Sequence, residues 1–233
     1  MNPYHSWCLK TFGIECKNFD AVDQVKIPAD LADFITEEHN KARMEVARGE
    51  LKSLISNAIY PQASNMQKLA WNGNLAILAQ RLANQCLFHH DTSANRTIPP
   101  FKSVGQNLYQ MKTTGKLDPL QDSFADAIQA WFVEYKNFPI ENLQPFKPSS
   151  DSSVQTGHFT ALAWAETNQV GCGMTKLKKG KWSQVIIACN YGPGGNILQQ
   201  PVNTFSVYES GKPCSACAEN MTCFNELLCE NKP

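Results

Sequence analysis

The sequence predicts an α+β fold held together by disulfides. Three observations carry that prediction: three amphipathic helical patterns in the first two thirds of the chain, a hairpin pattern near residue 180, and nine cysteines in 233 residues. The length suits one large domain, or one domain with a small appendage. A hydrophobic content of 42% is that of a globular core and excludes a disordered chain. Lys plus Arg equals Asp plus Glu at 21 each, so the chain as a whole has no electrostatic footprint for nucleic acid, and no basic run reads as a patch. No apolar run approaches the roughly 20 residues that span a bilayer.

Paired cysteines at the two ends and in the last third of the chain suit an oxidising compartment. Two sequons agree, Asn95-Arg96-Thr97 and Asn220-Met221-Thr222, which makes Asn95 and Asn220 glycosylation candidates. The first residues, MNPYHSWCLK, lack an apolar signal region. The expectation is a mature secreted chain whose signal has been removed, with Met1 added for expression. An odd cysteine count leaves one thiol over.

Residues 1–30 read as an irregular extension. Cys8 and Cys16 stand close enough for a short bridge that would pin it, the alternative being that each pairs with a distant cysteine. Residues 30–48 read as a helix, with Leu31, Phe34, Ile35, Ala42 and Val46 at three-to-four spacing and Gly49 ending the pattern. His39 lies on the apolar side, followed by Asn40 and Arg43. Arg48-Gly49-Glu50 invites comparison with an integrin-binding tripeptide, but with Glu for Asp at a helix end it reads as structural. Residues 65–88 form a second helical pattern through Leu75, Leu78, Ala79, Leu82, Ala83 and Cys86. Cys86 on this buried stripe is the candidate for the unpaired thiol. The pattern runs out into His89 and His90, of which one should point inward, because adjacent residues do not share a helix face.

Residues 91–121 read as loop, broken by Pro99-Pro100, Gly105, Gly115 and Asp118-Pro119. A third helix is expected from about Ser123 to Asn137, with Phe124, Ala127, Ile128, Trp131, Phe132 and Tyr135 on its apolar face and Ser123 with Asp126 as the N-cap pair. Glu134 sits beside that face, as a surface group or as the partner of something basic. The Pro- and Ser-rich residues 139–156 read as loop.

In GHFTALAWAET at 157–167, His158 directly precedes a run of apolar and small residues. An imidazole at the edge of an apolar wall is either a satisfied core histidine or a place where a proton, metal or ligand is handled. Residues 170–191 read as a hairpin turning at Gly180-Lys181. If Lys179 faces Trp182, the register sets Cys172 directly opposite Cys189, at the separation a disulfide needs. Gly192-Pro193-Gly194-Gly195 lacks the GK[ST] of a phosphate loop and reads as a turn. Pro201 to Lys212 reads as a linker to Cys214, Cys217, Cys223 and Cys229. Those four either hold zinc or form two disulfides, with disulfides the better fit to a secreted chain.

Together these motifs resemble the CAP superfamily of secreted proteins, and most closely its antigen 5 branch from insect venom and saliva. The carrying residues are His39-Asn40-Lys41-Ala42-Arg43, Gly105-Gln106-Asn107-Leu108, GHFTALAWAET at 157–167 and CNYGPGGN at 189–196. The resemblance covers about residues 31–200, the CAP domain, between an extension at 1–30 and a cysteine-rich tail at 201–233 that resembles the family's hinge. It implies a three-layer α-β-α sandwich around a small antiparallel sheet. It implies a cleft of two histidines and two acidic residues, which map to His90, position 106, Glu134 and His158. Here position 106 is Gln, which hydrogen-bonds without the charge that would help hold a metal. The hinge pattern implies Cys214 with Cys223 and Cys217 with Cys229. Ser93 stands where the family has a cysteine, which leaves Cys86 as the odd thiol.

Three functions follow as expectations. The first is a non-enzymatic binder of small hydrophobic mediators or of a host defence or haemostatic component. The second is weak metal chemistry: no cofactor is required, but His90 and His158 could take zinc or copper, with Glu134 as a base. The third is protein–protein inhibition through the cysteine-rich tail. The expected protein is a monomer, or a dimer if Cys86 is exposed.

Overall fold

The computed structural model describes residues 12–151, 153–198 and 205–232. Its helices are α1 (Ala29–Arg48), α2 (Gly73–Ala83), α3 (Ser93–Arg96), α4 (Leu120–Phe132) and α5 (Gly157–Leu162). Its strands are β1 (Ala21–Gln24), β2 (Lys52–Ser53), β3 (Ala58–Ile59), β4 (Ala70–Trp71), β5 (Gly105–Thr113), β6 (Gln169–Lys179), β7 (Trp182–Gly192), β8 (Met221–Phe224) and β9 (Leu228–Asn231). No helix among the described residues is long and apolar enough to cross a membrane. The chain falls into two compact units. One comprises Met1–Thr36, Trp71–Ala127 and Gln169–Pro193; the other comprises Glu37–Ala70, Ile128–Asn168 and Gly194–Pro233.

The first unit is built on an antiparallel sheet in the order β1-β6-β7-β5. Gly180 and Lys181 join β6 to β7 with Lys179 opposite Trp182, and that register sets Cys172 against Cys189, which are bonded. Helix α2 starts where Asn72 accepts from the Asn74 and Leu75 amides. Its stripe of Leu75, Leu78, Ala79, Leu82 and Ala83 is buried, in clusters with Leu108, Ala188, Leu177, Ile186, Phe101 and Val104. Two glycines of β6 let the helix lie directly on the sheet. A Cβ at Gly171 would stand 2.3 Å from the Ala76 nitrogen, and one at Gly173 would stand 2.3 Å from the Gln80 backbone. The Gln80 amide then acts as a short piece of strand, donating to Met174 O at 2.8 Å and accepting from Met174 N at 3.0 Å.

The second unit is organised by Arg43, fully buried on α1. Its guanidinium spends all five N–H donors on backbone carbonyls, those of Gln67, Leu162, Trp164, Ala165 and Thr167, at 2.7 to 3.2 Å. One helical turn earlier, Asn40 pairs both ways with the backbone of Leu69. These two side chains clamp the extended segment 67–69 and the turn after α5. Tyr60, Tyr135, Phe132 and Phe138 surround Phe159 with edge-on or tilted rings at 5.8 to 6.5 Å. The cysteine-rich end is hydrogen-bonded into the same unit, with Cys229 N donating to Met66 O and Lys68 N to Cys229 O. Bonds Cys214–Cys223 and Cys217–Cys229 tie the segment before β8 to the two strands of the β8–β9 hairpin. Part of the expected linker, residues 201–204, lies outside the described residues.

Several expectations need correction. Residues 14–24 are not a loose arm: a 3₁₀ turn over Ile14–Asn18 leads into β1, which pairs with β6. The second helix is shorter than 65–88, because residues 67–70 are extended and Asn72 caps a start at Gly73. Gly105–Thr113 is a strand, not loop. The third helix starts at Leu120 and tightens to a 3₁₀ turn over Val133–Asn137; Ser123 lies inside it, so its hydroxyl is not an N-cap.

The expected Cys8–Cys16 bridge and the unpaired Cys86 are both overturned, because Cys16 is bonded to Cys86. Cys8 lies outside the described residues. The physical reason is the end of α2. Past Ala83 the chain turns off the helix, Cys86 takes φ 60°, and the Gly13 amide donates to Asn84 O, which brings the 3₁₀ turn carrying Cys16 against it. The bridge spans 70 residues, so loop-closure entropy alone assigns it about 4 kcal/mol. Cys86→Ser should therefore lower the denaturant midpoint markedly, and an unchanged midpoint would show that the bridge does not form in solution.

Candidate functional site

The first unit brings His90 and Gln106 together. His90 lies in the segment after α2, and Gln106 is the second residue of β5, buried although polar. Their contact is Nδ1 to Oε1 at 2.8 Å. Which way the Gln106 amide points is decided by its other end. Arg96 donates to Asp91 Oδ1 at 2.7 Å and to the Asp91 carbonyl, in a nearly buried ion pair. That oxygen is an acceptor only. Gln106 Nε2 donates to it at 3.2 Å, and to Asn190 Oδ1 at 3.0 Å. Asn190 is itself fixed, because it is fully buried and its Nδ2 donates to Leu75 O. Gln106 Oε1 must then face the imidazole, and a carbonyl oxygen only accepts. The His90 proton belongs on Nδ1, and the lone pair on Nε2.

This chain explains the glutamine. A carboxylate at position 106 would set an acceptor against both Asp91 Oδ1 and Asn190 Oδ1. Gln106 supplies the donor that both oxygens need. Nitrogen-detected NMR of His90 above its titration should show the Nδ1–H tautomer, and a predominantly Nε2–H imidazole would refute this reading of the network.

The second unit brings Glu134 and His158 together. Glu134 follows α4 in the 3₁₀ turn, and His158 is the second residue of α5. The carboxylate accepts three N–H groups: His158 Nδ1 at 2.7 Å, the His158 amide at 3.0 Å and the Phe159 amide at 3.2 Å. It thereby orients the imidazole and caps α5 at once. Trp131 stacks on His158, with centroids 6.3 Å apart and 29° between planes, and His39, fully buried, lies 6.3 Å from the same indole. Sequence reading placed His39 on the apolar side of α1 but missed Trp131 as a platform for His158. Its position one turn before Glu134 on the same helical pattern was the available signal.

Among the described residues no group of three or more His, Cys, Asp or Glu side chains could hold a metal ion. His90 in the first unit and His158 in the second each have Nδ1 engaged by a side-chain oxygen, and a catalytic zinc takes about three protein ligands. All eight described cysteines are in disulfides, so none of them is a thiol nucleophile or a thiolate ligand. Of the two sequons, Asn220 is exposed, whereas Asn95 is partly buried in α3.

A small antiparallel sheet, amphipathic helices, close-spaced disulfides and histidines held by side-chain acceptors define a stapled α+β class. The family model described as CAP: Cysteine-rich secretory protein family matches residues 36–191, and the chain belongs to that family. It is an antigen 5-like member. It is 38% identical over 226 residues to a CRISP/Allergen/PR-1 protein of Trittame loki, covering 95% of this chain and 50% of that protein. It is 41% identical over 175 residues to Venom allergen 5 of Rhynchium brunneum, covering 75% of this chain and 71% of the relative. The chain thus spans about half the length of the Trittame loki relative. The solved structure of BmVAL-1 matches with a TM-score of 0.72 at 28% identity, covering 89% of this chain and 97% of that one. The fold is the family's, as the resemblance implied.

Proposed function

We propose that the protein is a secreted, non-enzymatic binder that acts by sequestering a small hydrophobic mediator. The observation that carries the non-enzymatic part is Glu134. Both its oxygens are engaged by three N–H donors, so the carboxylate expected to serve as base is held as a clamp for His158 and α5. The neutral Gln106 supports the same reading, since it adds no second carboxylate beside His90. Four disulfides and relatives named as venom allergens support secretion. A venom or salivary origin is part of this proposal, with the venom allergen names of the relatives in support of venom. A host defence or haemostatic protein is the alternative target, reached through the disulfide-anchored β8–β9 hairpin.

Native mass spectrometry before and after organic extraction tests the proposal, with added zinc as a parallel arm. A retained or titratable lipid of defined mass supports sequestration. Stoichiometric zinc lost in both His90→Ala and His158→Ala, with hydrolytic turnover that disappears in the same variants, would overturn the non-enzymatic reading.

A further inference from the structure

We propose that the tip of the β6–β7 hairpin, together with β5, is a binding surface for a sulfated polysaccharide. Sequence reading found no basic patch in this neutral chain, and the hairpin corrects that. Lys178, Lys179 and Lys181 surround the turn at Gly180 and are all exposed. The sheet then adds a fourth lysine that lies far away in sequence. Lys112 of β5 stands opposite Gln184 of β7, so it projects on the same face as Trp182 and Lys179.

Trp182 is what makes this more than a solvated charge run. Its indole is 40% exposed, and it collects two ammonium groups, Lys112 Nζ at 4.8 Å and Lys181 Nζ at 5.9 Å from the ring centroid. Cation–π attraction of this kind offsets the mutual repulsion of neighbouring lysines and holds them side by side. Asp20, just before β1, and Asp23 within it offset part of this charge but leave a cationic surplus over four exposed lysines. Asp20 Oδ2 accepts the Gly180 amide at 2.6 Å and braces the turn, while Asp23 lies opposite Lys176, which is only partly exposed and not counted here.

The chemistry of the patch selects the class of partner. It contains ammonium groups and no guanidinium, so it offers point charges without the bidentate fork that reads a single phosphate or carboxylate. The charges are spread over both faces of a hairpin end, since Lys178 and Lys179 alternate across the strand. A linear, densely sulfated chain matches such a spread. An anionic membrane matches less well, because Trp182 is the one large apolar side chain exposed on β5, β6 and β7 and it already carries the two ammonium groups. The proposal is independent of any small ligand.

The formal net charge of zero makes the test clean, since bulk charge does not drive retention on a polyanion. The protein is applied to immobilised heparin at about 0.15 M salt. Retention is expected, with loss on desulfated heparin. The combined variant Lys178→Gln, Lys179→Gln, Lys181→Gln should bind at least tenfold more weakly, with a salt slope reduced by on the order of one per lysine. Lys112→Gln and Trp182→Ala should each weaken binding several-fold, and these single exposed substitutions keep the test open if the combined variant misfolds. Flow-through of the wild type, equal retention of the variants, or undiminished retention on desulfated heparin overturns the proposal. Binding to phosphatidylserine vesicles without binding to heparin overturns it in favour of a membrane.

Discussion

Replacing Arg43 with methionine is expected to lower stability by on the order of 5 kcal/mol, a large share of the roughly 5–15 kcal/mol that holds a typical domain folded. The side-chain volume is nearly kept, so the loss is not a cavity effect. It comes from five backbone carbonyls that lose their N–H donor inside the protein. A buried polar group left unmet costs about 1–3 kcal/mol. Two of the five are cushioned, because Trp164 O also accepts from Thr167 N and Ala165 O from Gln67 N. The estimate therefore stays below the sum of five full penalties. Arg43→Lys separates charge from geometry. An ammonium keeps the positive charge but has three donors in place of five, so it should recover only part of the loss. Urea midpoints of the two variants check this, and a lysine variant as stable as the wild type would show that charge alone matters. Both variants should also loosen the turn after α5, which hydrogen exchange at residues 163–168 would report.

Gly173→Ala is expected to be nearly as damaging, for a steric reason. The added Cβ would stand 2.3 Å from both the nitrogen and the Cα of Gln80, and backbone atoms of a helix do not swing aside. To make room, α2 must lift from β6. That movement would break the paired bonds between the Gln80 amide and Met174, and would open the packing of Leu82 and Ala79 on Leu108 and Ala188. Overpacking at a rigid contact costs about 1–3 kcal/mol or more, and the broken bonds add to it. The change should appear as a lower Tm and as lost near-ultraviolet circular dichroism. Gly180→Ala makes the contrast, since nothing lies within 4 Å of its Cβ and its φ of 55° is the only obstacle. That variant should cost about 1 kcal/mol. Equal effects at the two glycines would contradict the close-approach account.

What was legible in the sequence was local. The apolar stripes of α1 and α4 follow from three-to-four spacing, and the hairpin register follows from one turn. Cys172 and Cys189 are set opposite each other by that register alone, before any tertiary contact is considered. The strand β5 was hidden because its first half buries Gln106, Asn107 and Leu108 in succession, so polar and apolar residues do not alternate. A buried polar strand is stable only because Asn190, Asp91 and Tyr191 supply its side chains with hydrogen bonds, and periodicity carries no trace of those partners.

The same division holds for the candidate site and the cysteines. Motif resemblance in the sequence singled out His90, Gln106, Glu134 and His158 as candidates. Only the fold shows what they touch: Arg96 pairs with Asp91, Asp91 accepts from Gln106, and Gln106 faces the Nδ1 of His90. Sequence proximity favoured Cys8 for Cys16, yet the end of α2 delivered Cys86, 70 residues away. The neutral total concealed the lysines around Trp182, because a sheet brings Lys112 beside a turn that no linear reading connects to it. The sequence by itself determined the apolar stripes of three helices, the hairpin register and the family, since each is written in short spacings and motifs. Disulfide pairing at the first bridge, the tautomer of His90 and the role of Arg43 required the tertiary structure, because each depends on groups brought together only when the chain has closed.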